Sequence, residues 1–172
     1  NSATPIMTSS NGSVWTTNGF YVPYNTPVED IPYVKSKLIS NSLSLNAVTY
    51  GNNKHVAVGD NIITTNDLSV WIETYAFTGE FFDVQYVQTS FFTGFVAVGT
   101  KDGSKFVVYS TDGSSWAEVT AYNNGVATVP QQNATLKGIS YDNNSIVIVG
   151  ELGVIYRATA INNWTFVQSV AD

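Results

Sequence analysis

The side chains that could carry out catalysis in this chain are few and widely spaced. Its 172 residues contain one histidine, His55, one arginine, Arg157, and no cysteine. A Ser-His-Asp triad would have to use His55, which begins a β-branched run. Two similar segments later in the chain have Phe95 and Ile146 at the corresponding position. Such positions hold packed residues far more often than a catalytic base. We therefore expect His55 to be packed and hydrogen-bonded.

Carboxylates, metal ligands and nucleotide-binding loops give no stronger case for an enzyme. Paired carboxylates for glycoside hydrolysis stay open from the sequence, but the thirteen acidic residues fall in turns without an apolar setting that would raise one pKa. Asp102 and Asp142 have the surroundings of ordinary turn formers. No Asp-x-Asp-x-Asp loop indicates calcium, one histidine without cysteine disfavours zinc, and no Gly-rich phosphate loop is present. The sequence predicts no catalytic residue, no metal and no cofactor.

The elements that would position any site belong to an internal repeat. Six residues before each tryptophan lies a small residue, and nine residues before each lies a β-branched one. The segments HVAVG at 55–59, FVAVG at 95–99 and IVIVG at 146–150 align upstream, as do the segments that begin at 45, 81 and 136. Several columns that agree in one register indicate a repeat protein. The tryptophans that anchor the four copies are Trp15, Trp71, Trp116 and Trp164.

Each repeat is predicted to form four short strands. β-branched and aromatic residues dominate the apolar runs, and Asn, Gly, Asp and Ser separate them. Because the runs are apolar at successive positions, we expect both faces of each sheet to be buried, which radial packing of sheet on sheet achieves. Four strands in roughly 40–45 residues are typical of a β-propeller blade.

The predicted fold is therefore all-β and propeller-like, with four-stranded antiparallel blades in a single structural domain. We expect a half blade at 1–17, an irregular insertion or linker at 18–44, and three full blades over 45–172. The open edges of an unclosed ring would tend to pair with other chains. Three and a half blades therefore predict a fragment of a longer propeller or closure by further chains. A small ring completed by 18–44 is the other alternative.

The segment STDGSSW at 110–116 resembles the Asp-box, or BNR repeat, a hairpin of Ser-x-Asp-x-Gly type that closes on a tryptophan. The whole unit is similar to the Asp-box propeller repeats of sialidases, photosystem assembly factors and phage-borne or secreted proteins. The resemblance implies that the motif residues are structural, with the Asp tying its own turn and the aromatic ring packing between sheets. These residues are Ser110, Asp112, Gly113 and Trp116, with Thr65, Asp67 and Trp71 in the second copy and Trp15 and Trp164 in the others.

The same resemblance gives a test for one enzyme class. Sialidases hold the substrate carboxylate with three arginines, and lysines do not replace bidentate guanidinium recognition. This chain has only Arg157. We therefore do not expect sialidase activity, and we expect no enzyme.

A binding surface is predicted where the resemblance puts the ligand loops, at one end of the propeller. Exposed aromatic rings beside amides and carboxylates suit a protein partner or stacking on sugar rings. Phe77 and Tyr122 are explained equally well as residues that seal the contact between blades. The candidate binding residues are Asp60, Asn61, Tyr75, Phe77, Lys101, Asp102, Tyr122 and Glu151.

Charge and composition restrict the partners. A net charge of −6 with seven basic residues argues against nucleic acid and against anionic membrane surfaces. No apolar run is long enough for membrane insertion. We expect other protein chains as partners, either copies of this chain or virion proteins, with surface glycans as an alternative.

The expected function is that of a non-enzymatic structural or binding module in a larger extracellular assembly. A virion fibre, tail or capsid-decoration protein of a phage is the concrete form, which puts the chain outside the cell or on a virion. One alternative is a secreted carbohydrate-binding or carbohydrate-active propeller, a lectin or glycosidase-like protein. Another, which the acidic charge disfavours, is a photosystem-type assembly factor.

Overall fold

A computed structural model describes residues 7–9, 12–14, 16–17, 21–22, 43–120, 122–123 and 133–169. Nearly all the regular structure in these ranges is β-strand, with one 3₁₀ turn at Glu151–Gly153. No helix in the described ranges has the length and apolar character needed to cross a bilayer. The strands are β1 (Met7–Thr8), β2 (Thr16–Thr17), β3 (Tyr21–Val22), β4 (Leu45–Gly51), β5 (Lys54–Gly59), β6 (Asn61–Thr65), β7 (Trp71–Ala76), β8 (Gly79–Gln88), β9 (Thr93–Lys101), β10 (Ser104–Ser110), β11 (Ala117–Glu118), β12 (Tyr122–Asn123), β13 (Leu136–Tyr141), β14 (Ile146–Gly150), β15 (Val154–Ala160) and β16 (Asn163–Ser169).

Three antiparallel sheets, each made of four consecutive strands, account for most of the fold. The first sheet is β4–β7, the second is β8–β11 and the third is β13–β16, while β1 and β2 form a separate pair. A short parallel strand adds to the outermost strand of the first sheet (β3 on β7) and of the third (β12 on β16). The predicted all-β, propeller-like fold of four-stranded blades is confirmed. Trp15, the side chain of Tyr122 and most of the predicted linker 18–44 lie outside the described residues.

Two hairpins have the tight turns that their sequences predict. Asn52 and Asn53 connect β4 to β5 with φ angles of 47° and 56°, and Asp102 and Gly103 connect β9 to β10 with φ angles of 51° and 73°. A two-residue turn with positive φ at both positions matches the twist of the paired strands, and Asn, Asp and Gly tolerate it best. Asp102 is therefore a turn residue, whatever else it contacts.

A bulge at the same place in each sheet explains one glycine of each repeat. The pairing register shifts between Leu45 and Ala47, between Phe81 and Asp83, and between Leu136 and Gly138. The residue that precedes each register shift pairs with a glycine on the neighbouring strand, and the backbones approach too closely there for a side chain. A Cβ atom on Gly59, Gly99 or Gly150 would lie 1.9, 2.0 or 2.3 Å from the carbonyl oxygen of Ser44, Glu80 or Thr135.

Two apolar seams join the sheets. We call the contact between the first and second sheets the first seam, and that between the second and third sheets the second seam. Both consist of β-branched and aromatic side chains removed from water, which is the main force holding such layers together. The first seam contains Val56, Val58, Ile62, Phe81, Val84 and Phe95. The second contains Val87, Val96, Val98, Val107, Leu136, Ile146, Ile148, Tyr156 and Trp164.

Candidate interaction surfaces

The turn that leads into Trp116 is held by its own side chains. The Ser110 hydroxyl oxygen accepts hydrogen bonds from the backbone N–H groups of Asp112 and Gly113, at 3.3 and 2.8 Å. The Asp112 carboxylate accepts from the N–H groups of Ser114 and Ser115, both at 2.8 Å. The N–H of Ser115, followed by that of Ser114, lowers the pKa of Asp112 to about 2. Asp112 therefore acts as a structural anion that closes its turn.

The corresponding turn before Trp71 repeats this arrangement with different residues. Thr65 Oγ1 accepts from the N–H of Leu68 at 3.0 Å, and Asp67 accepts from the Ser69 N–H at 2.9 Å and from the Ser69 hydroxyl at 2.6 Å. These bonds from Ser69 lower the pKa of Asp67 to about 2. Thr65 and Asp67 thus close their turn with hydrogen bonds like those of Ser110 and Asp112, while the assignment of both turns to the Asp-box family stays a prediction.

The described tryptophan rings pack against other side chains and are not exposed on the surface as a binding site would require. Trp164 is fully buried in the second seam, and its indole N–H donates to the Ile161 carbonyl oxygen at 2.8 Å. Trp116 packs on the first-seam cluster, and its N–H donates to Thr74 Oγ1 at 3.3 Å. Trp71 is buried, and its indole N–H has no hydrogen-bond partner in the described structure. These rings therefore stabilise the sheets.

Three of the predicted binding residues meet between the first and second sheets. The Tyr75 hydroxyl donates to Glu118 Oε1 at 2.7 Å, and Lys101 Nζ donates to the same oxygen at 3.0 Å. Phe77 stacks on Phe106 with 5.3 Å between ring centroids, and Lys101 Nζ lies 4.9 Å from the Phe106 centroid. We call Tyr75, Phe77, Lys101, Phe106 and Glu118 the seam cluster. Its polar groups bind one another across the two sheets.

The electrostatics of the seam cluster favour a fixed ion pair over acid–base chemistry. Burial, followed by the hydrogen bond to Glu118, raises the pKa of Tyr75, so its hydroxyl stays a donor at neutral pH. The hydrogen bonds from Tyr75 and then from Lys101 lower the pKa of Glu118, so this carboxylate stays ionised. Neither group titrates near pH 7, which a general acid or base requires.

The remaining predicted residues have partners elsewhere. Asp60 Oδ2 accepts from the Ser44 N–H at 2.8 Å, and the Asn61 side-chain amide donates to Glu73 Oε2 at 2.9 Å. Glu151 Oε1 lies 3.5 Å from Lys137 Nζ, which is itself 3.3 Å from the Phe82 ring centroid. Asp60, Asn61 and Glu151 thus stabilise loops of the first and third sheets, and their role in binding stays a prediction.

His55 is packed but not hydrogen-bonded through Nδ1. Its ring lies 4.6 Å from the Tyr50 ring between centroids, and its Nδ1 is buried without a hydrogen-bond partner in the part of the chain described. Burial lowers the pKa of His55. The packing is therefore as the sequence predicts, whereas the expected hydrogen bond is not made through Nδ1. Over the described ranges, no group of three or more His, Cys, Asp and Glu side chains is positioned to hold a metal ion.

One apolar face of the third sheet is open. Val149 and Val167 on this face are 43% and 56% exposed. The residues that align with Val149 in the other sheets, Val58 and Val98, are fully buried. We call the surface formed by Val147, Val149, Ile155 and Val167 the open face. The expectation that both faces of every sheet are buried is therefore wrong for the third sheet.

The first sheet also has exposed apolar side chains, on the face that points away from the first seam. Val48 and Tyr50 of β4 are 62% and 57% exposed, whereas Val84, which aligns with Val48, is 1% exposed within the first seam. His55 pairs with Tyr50 across β4 and β5. We call the surface formed by the exposed side chains of Val48 and Tyr50 and the half-buried His55 the β4 face.

The outer edges of the three sheets also differ. β3 covers the edge of β7, and β12 covers the edge of β16. In the second sheet the outermost strand is β11, and no other described strand pairs with its outer edge. Both residues of β11 are exposed.

Comparison with solved structures identifies the fold. No protein-family model matches this chain, and no curated protein sequence does. The structure titled "YCF48 bound to D1 peptide" matches with a TM-score of 0.53 and 12% identity, over 90% of this chain and 43% of that one. "YCF48 from Cyanidioschyzon merolae" matches with a TM-score of 0.56 and 12% identity, over 99% of this chain and 56% of that one. The chain thus spans about half the length of these structural neighbours, and the likeness is one of fold.

Proposed function

We propose that this protein is a non-enzymatic structural and binding module of a larger protein assembly, joined to it through the open face of the third sheet. One observation carries the proposal: Val149 and Val167 are 43% and 56% exposed, whereas Val98 in the second sheet is fully buried. A contiguous apolar surface of this kind marks an interaction site on a soluble protein.

The residue types of the open face support a blade-on-blade contact rather than a general hydrophobic one. Val147, Val149 and Ile155 align with Val96, Val98 and Val107 of the second seam. They also align with Val56, Val58 and Ile62 of the first seam. The open face therefore has the side chains that bind a neighbouring sheet at both seams of this chain.

A second copy of the chain is the occupant that the open face fits. Its β4 face has Val48 and Tyr50 where the seam residues of the second and third sheets are Val84, Tyr86 and Ile139. The open face of one copy would then cover Val48 and Tyr50 of the next. Ala57 and Ile63, on the same face of the first sheet, are already buried within the single chain. Such a head-to-tail contact joins different surfaces of two identical chains, and it closes into a ring if the rotation allows.

A virion fibre, tail or capsid-decoration component is the form of assembly that we propose, and the location would then be extracellular or on a virion. The Asn-, Ser-, Thr- and Gly-rich, cysteine-free composition supports it. A second candidate is a peptide-binding assembly factor. It is supported by the fold likeness to the structure titled "YCF48 bound to D1 peptide".

Light scattering after size exclusion tests the proposal. The chain of 18.6 kDa should form multimers whose fraction grows with concentration. It should also grow with salt, because each copy carries a net charge of −6 and screening weakens the repulsion. Val149→Glu should shift the particle to a monomer. Ile72 is also 43% exposed but lies outside the open face and the β4 face, so Ile72→Glu should leave the multimers intact.

A wild-type monomer at all concentrations and salt conditions would contradict the proposal. Equal effects of Val149→Glu and Ile72→Glu would also contradict it, because the loss would then reflect added charge alone. A monomer that binds a glycan array would support the carbohydrate-binding alternative instead.

A further inference from the structure

We propose that the outer edge of β11 binds an extended peptide segment of another protein as a parallel fifth strand of the second sheet. The site is formed by the backbone of Trp116, Ala117 and Glu118. Two observations carry the inference: the hydrogen-bonding pattern of β11, and the strands that already occupy the same edge in the first and third sheets.

The pattern shows which backbone groups of β11 face outward. The Val119 N–H donates to the Val107 carbonyl oxygen at 2.9 Å, and the register pairs Tyr109 with Ala117. In an antiparallel pair, hydrogen-bonded and non-hydrogen-bonded pairs alternate, so Ala117 bonds inward to β10. The N–H and C=O groups of Trp116 and Glu118 therefore point away from β10, toward the free edge.

The same edge is filled in the two other sheets, at the same register. Tyr21 lies opposite Trp71 and Val22 opposite Ile72, while Tyr122 lies opposite Trp164 and Asn123 opposite Thr165. Both added strands are parallel to the strand that they join. Each puts a tyrosine opposite the tryptophan that ends the turn. The fold thus provides two examples of the kind of strand that no described residue adds to the edge of β11.

Chain connectivity explains why no described strand adds to this edge of the second sheet. The added strands β3 and β12 come from the segments that precede the first and third sheets. Only Phe77 and Thr78 connect β7 to β8, so the segment before the second sheet is too short to pass along its outer edge. Within the described part of the chain, the edge of β11 is therefore open to a segment from another molecule.

The expected ligand follows from the two internal examples. It is an extended peptide whose aromatic residue lies opposite Trp116 and whose next residue lies opposite Ala117. In parallel pairing, this second residue donates its N–H to the Trp116 carbonyl and accepts from the Glu118 N–H. Main-chain bonds of this kind give affinity to strand addition, and the side chains give selectivity. This site does not depend on self-association, because a monomer presents the same edge.

The test uses the full chain labelled with ¹⁵N and a capped synthetic peptide, GFYVPY, which copies residues 19–24. We expect the peptide to shift the amide signal of Glu118 and to slow its exchange with solvent, with smaller changes at Ala117. A scrambled peptide of the same composition should shift neither. Binding of the peptide should not change the molecular mass beyond that of one bound peptide.

A pair of variants separates the backbone from the side chain. Glu118→Pro removes the carboxylate and the outward N–H, and it leaves the inward bonds of Ala117 to β10. Glu118→Ala removes only the carboxylate. We expect Glu118→Pro to weaken peptide binding by about tenfold or more, equivalent to 1.4 kcal/mol, and Glu118→Ala to retain it.

Three results would overturn this proposal. The first is the absence of amide shifts at millimolar peptide. The second is equal binding by Glu118→Pro and Glu118→Ala. The third is a set of shifts at Trp71 and Glu73 instead of Trp116 and Glu118, which would mean that the peptide displaces β3 from the first sheet.

Discussion

The second and third sheets have nearly the same residues on the face that each turns away from the preceding sheet, yet these residues differ in exposure. Val98 of the second sheet is fully buried, and its counterpart Val149 in the third sheet is 43% exposed. The third sheet covers Val98 through the second seam. The exposure of such a side chain is therefore decided by the presence of a neighbouring sheet and not by the local sequence.

The same comparison separates stability from interaction. A side chain in a seam contributes to the free energy of folding, because folding itself removes it from water. A side chain on the open face contributes little until another molecule covers it. Two classes of substitution should therefore be distinguishable, one that destabilises the monomer and one that changes only its association.

The largest expected effect comes from two adjacent residues of β14 on opposite faces. Ile148→Ala should lower the free energy of unfolding by about 3 kcal/mol, because Ile148 is fully buried in the second seam and the truncation leaves a cavity. Val149→Ala should change it by less than about 0.5 kcal/mol, as is typical of surface sites. Urea denaturation at low protein concentration measures both. Similar values for the two variants would mean that the open face is buried in the monomer.

A smaller effect is expected at a polar contact across the second seam. The Asp83 carboxylate accepts a hydrogen bond from the Ile139 backbone N–H at 2.8 Å. Asp83→Ala should destabilise the fold by about 1–3 kcal/mol, because it leaves this N–H without its partner. Asp83→Asn, which keeps an acceptor oxygen, should cost less. The comparison fails if both variants are as stable as the wild type in the same denaturation assay.

The smallest expected effect on stability is that of pH. It should arise from two turns and not from the open face or the β4 face. Asp67 and Asp112 have pKa values of about 2 in the folded chain, below the ordinary value of 3.8. Since their folded pKa values are depressed, their stabilising contribution is present above about pH 4 and is lost as the pH falls toward 2. Thermal unfolding should therefore be nearly constant from pH 7 to 5 with respect to these groups.

A variant tests whether the acid sensitivity belongs to the turns. Asp112→Asn should lower the midpoint of thermal unfolding at pH 7 and narrow its difference from the wild type at pH 2.5. An unchanged difference at the two pH values would show that the Asp112 carboxylate does not stabilise its turn. The gap in stability between Ile148→Ala and Val149→Ala should persist at both pH values, because neither side chain titrates.

The sequence predicted most of the fold because its signals are local or periodic. Gly99 ends a β-branched run, Asp102 and Gly103 form a two-residue turn, and Trp116 follows a turn closed by Asp112. Each of these features depends on a few neighbouring residues, so a single sequence contains the information. The repeat then multiplied each signal, which is why the strands of the three sheets could be assigned together.

The interaction surfaces could not be predicted in the same way. Nothing in the sequence distinguishes Val149 from Val98, because both belong to the same repeat column and only the presence of a neighbouring sheet separates them. The parallel strands β3 and β12 are two residues long and lie far along the chain from β7 and β16. A candidate such as Tyr75 has the composition of a binding residue, but its bond to Glu118 depends on how two sheets pack.

Cross-linking between copies tests whether the open face of one copy meets the β4 face of another. Because the chain has no cysteine, single cysteines can be introduced without background. We would mix Val149→Cys with Val48→Cys, add a short bis-maleimide, and compare the yield of mixed dimer with that of Val149→Cys and Ile72→Cys. We expect efficient cross-linking only for Val149→Cys with Val48→Cys. Equal yields from the two pairs would contradict a contact between the open face and the β4 face.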